Sequence, residues 1–207
     1  MKLYLSSYRI PRPDKLVALI GKPADQTKVA IIPNAKDYYA NRARAVKLRD
    51  QTDYITNLGF TAEIVDLRDY RNSESLRDKL QQFDALWLIG GNTYCLRYEI
   101  EQSGFNAIIG SLLQDGITFI GESAGACVAG TNLRGLESAD NPEFAEGVIY
   151  DGLGLVNNTL SPHADNAMFA EDITNLRELY KDDPTFLELK DSEALIVNDT
   201  EQEIVSA

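Results

Sequence analysis

The sequence predicts an α/β fold: a mostly parallel, twisted sheet with helices on both faces. Three observations predict it. Short apolar runs alternate with longer amphipathic ones along the chain. The run 85–89, Ala-Leu-Trp-Leu-Ile, is apolar throughout, as a strand buried on both faces is. No internal repeat, low-complexity tract or linker interrupts the pattern, and 207 residues fit one domain, so 1–207 reads as a single α/β domain.

Each element follows from local pattern. Residues 2–6 read as a first strand. Residues 15–20 are apolar at helical spacing and Pro23 closes them. Residues 28–32 form a second strand, stopped by Pro33 and Asn34. Residues 37–58 read as a long helix with charges on its outer face, and Gly59 ends it. A third strand is expected at 61–66 and a short helix at 73–81, with Ser73 as N-cap. The fourth strand, 85–89, leads into the turn Gly90-Gly91-Asn92. Helical segments follow at 94–101 and 105–114, then a fifth strand at 117–121. Residues 124–131 are small and read as a helix packed closely on the sheet. Residues 132–151 have no sustained period and read as a functional loop. A strand at 153–160, a helix at 166–180 and a closing hairpin across Asp199 and Thr200 complete the chain. Such sheets place their sites at the carboxyl ends of strands, which points to the turns after Ile89 and Ile120.

The formal net charge of -12 argues against a nucleic acid or an anionic membrane surface as partner, because long-range repulsion opposes both. No run approaches the roughly 20 apolar residues of a membrane span. The first residues are too polar for a signal peptide, so a reducing cytoplasm is expected. Cys95 and Cys127 are no disulfide framework and read as small buried hydrophobes. With one histidine and two separated cysteines there is no metal-ligand spacing, and no nucleotide-binding pattern is present, so neither metal nor cofactor is expected.

Gly121-Glu122-Ser123-Ala124-Gly125 matches G-x-S-x-G between a strand pattern and a helix pattern, the context of a nucleophile elbow. A tight turn lifts the serine hydroxyl, and small flanking residues let backbones pass closely. The helix start adds positive potential. Ser123 needs a base, and His163 is the one side chain with a suitable unperturbed pKa. A carboxylate should orient the imidazole; Asp140, Asp191 and Glu193 are all candidates. The amides of Ala124 and Gly91 are candidates for an oxyanion hole. Tyr38, Tyr39 and Tyr94 are as readily packing residues as pocket walls. A serine hydrolase follows from this set. An esterase or amidase on a non-peptide substrate, or a non-catalytic binding protein, would carry the same turn.

Gly90-Gly91-Asn92-Thr93, then Gly121-Glu122-Ser123-Ala124-Gly125-Ala126, then Ser161-Pro162-His163, resemble the peptidase E (α-aspartyl dipeptidase) and cyanophycinase family over nearly the whole chain. The resemblance implies a flavodoxin-like fold similar to class I glutamine amidotransferases, with serine in place of their cysteine. It implies a metal-free hydrolase of small peptides, dipeptides with N-terminal aspartate above all, working as monomer or homodimer. By motif Ser123 matches the nucleophile, His163 the base, and Gly91 and Ala124 the oxyanion amides. Asp140 is ranked first and Asp191 second as third member. Asn92, Thr93 and Glu122 are expected to bind substrate. Glu122 is acidic where many relatives are neutral or aromatic, and is a candidate acceptor for a substrate amine. Arg97 and Arg134 are candidate cations for the substrate aspartate.

Overall fold

The computed structural model describes residues 1–71 and 73–207. Leu3 and Leu5 in the first strand turn to one face of a sheet and Tyr4 to the other, and each face has its own buried core. That strand is β1 (Lys2–Ser6), followed by α1 (Pro13–Ile20), β2 (Lys28–Ile32), α2 (Asn41–Asn57) and β3 (Thr61–Ile64). Next come α3 (Leu76–Leu80), β4 (Ala85–Leu88), α4 (Thr93–Gln102), α5 (Phe105–Gln114), β5 (Thr118–Glu122) and α6 (Ala124–Cys127). The chain continues with β6 (Thr159–Ser161), α7 (Ala170–Leu179), β7 (Phe186–Glu188), β8 (Glu193–Asn198) and β9 (Glu201–Ser206).

Seven strands lie in the order β3-β2-β4-β5-β1-β8-β9. The first five are parallel, while β8 and β9 run antiparallel as a hairpin closing one edge. α1 and α2 cover one face with Leu16, Leu48 and Ile55 around Trp87. α3, α4, α5, α6 and α7 supply the larger core on the other face, around Leu86, Leu88 and Phe119. The expected mostly parallel α/β sheet is thus the observed one. β6 and β7 form a separate parallel pair. Among the described residues no helix is long and apolar enough to cross a membrane.

Several expected elements differ, among them the short helix expected at 73–81 with Ser73 as N-cap, which is α3 (Leu76–Leu80) with Ser75 at the cap position. The strand expected at 153–160 is reduced to β6, because the amides of Leu153 and Leu155 donate to the carbonyls of Val128 and Ala129 instead of to a neighbouring strand (2.7 and 2.9 Å). The same bonds end the helix expected at 124–131 after one turn. α2, expected from 37, begins at Asn41, since Ala40 before it sits at φ -57° and ψ 146°, outside the helical region. β7 carries no alternation that a sequence pattern would flag, and its side chains are only half-buried.

Candidate active site

Two glycines make the turn after β5 possible. A Cβ on Gly121 would stand 2.4 Å from the carbonyl oxygen of Gly125, and one on Gly125 would stand 2.1 Å from that of Leu88. With both absent, the backbone reverses sharply at Ser123, which sits at φ 53° and ψ -110°. A non-glycine residue holds such a conformation only when its surroundings over-determine it. Here the Ser123 amide donates to the carbonyl of Ser6, and the Ser123 carbonyl accepts from Ala126 and Cys127 (3.0, 2.8 and 2.9 Å). α6 is a single turn, so the positive potential expected of a long helix start reduces to its first free amides.

His163 also has a positive φ, of 65°, in the turn after β6. Its backbone amide donates to Ser7 Oγ at 2.7 Å, which ties the turn to the end of β1. The imidazole bridges two groups. Nε2 lies 3.0 Å from Ser123 Oγ, and Nδ1 lies 2.6 Å from Asp191 Oδ1. Asn166 donates to the other Asp191 oxygen at 2.8 Å, and the Asp191 amide donates to Asp165 at 2.9 Å. Phe169 stacks on the imidazole with centroids 4.7 Å apart. Tyr8 meets it edge-on at 6.4 Å.

The carboxylate ranked first in the sequence lies elsewhere. Asp140 Oδ2 accepts from the amide and hydroxyl of Thr93 (2.9 and 2.5 Å), so the carboxylate at the imidazole is Asp191. Burial pushes the Asp140 carboxyl up, against the Thr93 hydrogen bonds and the His163 and Lys36 charges. Glu193 is also absent from the imidazole; its carboxylate accepts from the Lys190 amide at 2.9 Å. Asn92 caps α4 by accepting from the Cys95 amide, and donates to the Asn141 carbonyl (both 2.9 Å). Asn92 and Thr93 thus clip the loop at Asp140 and Asn141 onto the start of α4. Thr93 and Asp140 also line a pocket.

Gly91 has φ 150°, and a Cβ there would fall 2.1 Å from the Ala35 carbonyl oxygen. Among the described residues, neither the Gly91 nor the Ala124 amide donates to a backbone carbonyl. Two hollows meet at Ser123 and His163. One is a cleft of about 520 Å³ with Tyr8, Arg9, Lys36, Gln51 and Glu122 in its wall. The other, of about 260 Å³, is walled by Cys127, Leu136, Ile173 and Leu176, with Asp140 at its edge.

Glu122 is buried, and Oε2 accepts from Gln51 Nε2 and Trp87 Nε1 (2.8 and 3.2 Å). Arg9 faces Oε1 at 3.7 Å, donates to Gln51 and lies over the Tyr54 ring. Burial raises the Glu122 carboxyl above its ordinary range despite these donors. The expected cations Arg97 and Arg134 lie outside both hollows. Arg97 bonds the Asp151 carbonyl and Glu101, and Arg134 covers the Tyr150 ring. The cleft cations are Arg9, Lys36 and Lys47, which no motif flags because each comes from a different segment. Cys95 and Cys127 are buried, and burial pushes the Cys95 thiol up to about 12. Tyr38 stacks on Tyr39 and Phe144 and lines the smaller hollow; Tyr94 is buried and donates to the Leu133 carbonyl. Among the described residues no group of three or more histidines, cysteines, aspartates and glutamates could hold a metal ion.

Comparison with known proteins places the chain in a peptidase family. The model for peptidase family S51 matches residues 10–205. An uncharacterized peptidase of Listeria innocua is 32% identical over 59% of this chain and 59% of its own length. One from Listeria monocytogenes is 28% identical over 71% of this chain and 72% of its own. The peptidase E of Haemophilus influenzae is 31% identical over 42% of this chain and 38% of its own. The chain thus spans about three fifths of the length of several curated relatives it matches. Among solved structures, that of a candidate peptidase E protein from Listeria monocytogenes superposes with a TM-score of 0.82 at 24% identity, covering 100% of this chain and 98% of that one. A peptidase from an acI-B1 actinobacterium gives 0.74 at 17%, covering 100% and 87%. Both carry the same flavodoxin-like fold.

Proposed function

We propose that this chain, which belongs to peptidase family S51, is a serine peptidase that hydrolyses small peptides, with dipeptides bearing an N-terminal aspartate as its preferred class. The observation that carries the reading is the unbroken line from Ser123 Oγ through the His163 ring to Asp191.

In this reading Ser123 Oγ attacks the scissile carbonyl while His163 Nε2 takes its proton. Asp191 accepts from Nδ1, which fixes the tautomer that leaves Nε2 free as base and favours the imidazolium that forms. The amides of Gly91 and Ala124 receive the oxyanion, and their lack of backbone acceptors supports that role. His163 then gives its proton to the leaving amine, and the acyl group stays on Ser123. Water attacks that ester, His163 takes the water's proton and returns it to Ser123 Oγ, and the acid leaves. No metal enters any step. The aspartate preference is supported by relatives named peptidase E and by cations in the larger cleft.

The test compares purified wild type and Ser123→Ala on N-terminal-aspartyl dipeptides, uncharged dipeptides and p-nitrophenyl esters. Wild type should release free amino acids fastest from the aspartyl peptides, and Ser123→Ala should release none. Hydrolysis of esters alone, or peptide hydrolysis that survives loss of Ser123, would end the reading.

A further inference from the structure

Lys36 stands apart from the other cations of the chain. Every other lysine or arginine reaches a carboxylate, donates to a backbone carbonyl or is exposed to water. Lys36 is half-buried, and among the described residues its ammonium has neither a carboxylate within 4 Å nor a hydrogen-bond acceptor. An ammonium withdrawn from water without a carboxylate in contact is costly, and burial pulls the Lys36 pKa down against the longer-range attraction of Tyr39 and Glu122. The position is also firmly held. Lys36 closes the 3-10 turn after β2, and the Asn92 amide donates to the Ala35 carbonyl beside it at 2.7 Å. Gly91 packs so closely on Ala35 that no side chain fits between them. The turn bearing the ammonium and the turn bearing the Gly91 amide therefore form one unit, and both line the cleft that holds Ser123.

Arg9 is a poorer anion receptor. Its charge already faces Glu122, its guanidinium donates to Gln51, and Tyr54 covers one of its faces. From these contacts we propose that Lys36 is the specificity-determining residue of the cleft, receiving the side-chain carboxylate of the substrate's N-terminal residue. The assignment rests on the peptidase reading above. It makes the ion pair missing from the free protein one that the substrate completes.

The experiment measures kcat/KM on a matched pair, an N-terminal-aspartyl dipeptide and its asparaginyl counterpart, for wild type, Lys36→Met and Lys36→Arg. A charge-assisted hydrogen bond of ordinary strength corresponds to a loss on the order of tenfold to hundredfold for the aspartyl peptide in Lys36→Met. The loss should appear mainly in KM, with the asparaginyl peptide nearly unchanged, and Lys36→Arg should restore most of the preference. Equal losses on both peptides would make Lys36 a structural residue and overturn the assignment. So would an unchanged aspartyl-to-asparaginyl ratio with normal turnover. A wild type inert on both peptides would overturn the peptidase reading and the assignment together, which separates the two failures.

Discussion

At the scale of single residues, the two acids of the site have different work. Asp191 holds the imidazole, and Asp140 holds the start of α4 through Thr93. Asp191→Asn should lower kcat by on the order of a thousandfold or more while leaving the fold intact, because the amide favours the wrong tautomer. Asp140→Asn should keep most of the turnover and instead lose about 1–3 kcal/mol of stability through the Thr93 hydrogen bonds. Steady-state rates and urea unfolding on both variants separate the roles, and a reversed pattern would reassign the acid. Ser123 and His163 are legible in the sequence because one sits in a glycine-framed turn and the other is the sole imidazole. The choice between Asp140 and Asp191 is not. It depends on how residues 132–158 are routed, and their amides bond to loop carbonyls that no periodicity records.

Among the elements, the turn bearing Lys36 is braced by charge. Asn34 donates to Asp37 and to Asp66 at 2.8 Å each, and Arg44 of α2 reaches both carboxylates at 2.8 and 2.7 Å. Burial pushes Asp66 up, but hydrogen bonds from Arg68 and Asn34 outweigh it and hold the carboxyl at about 2. A folded-state value below the unfolded one of about 3.9 gives stability at neutral pH that is lost as pH falls from about 4 to about 2. Asp37 works in the opposite sense, since burial raises it. Asp66→Asn should therefore lower the urea midpoint at pH 7 and flatten its fall over that acid window; an unaltered acid limb would remove Asp66 from the account. The strands were legible because fully buried runs such as 85–89 have no amphipathic competitor, whereas β7 and the 3-10 turn at 34–36 lack any such signature.

For the molecule as a whole, charge is lopsided. A chain of formal charge -12 repels an acidic substrate at a distance, while the cleft beside Ser123 sets Arg9, Lys36 and Lys47 against Asp50, Glu122 and Asp191, so its attraction is local to the cations. Raising salt from about 10 to about 150 mM shortens the screening length from about 30 to about 8 Å, which removes the far repulsion more than the near attraction. Turnover of aspartyl dipeptides at low substrate should rise over that range while that of neutral dipeptides stays flat; a fall for the aspartyl peptides would show that the cleft governs encounter. Topology sets a second property. β1 lies between β5 and β8, and Ser7 just beyond it supports both the His163 turn and, at 3.5 Å, Asp191. Ser7 thus meets a carboxylate 184 positions further along the chain. On a growing polypeptide Ser123 therefore emerges 68 residues ahead of Asp191, and the imidazole between them gains its carboxylate only once that intervening stretch has been made.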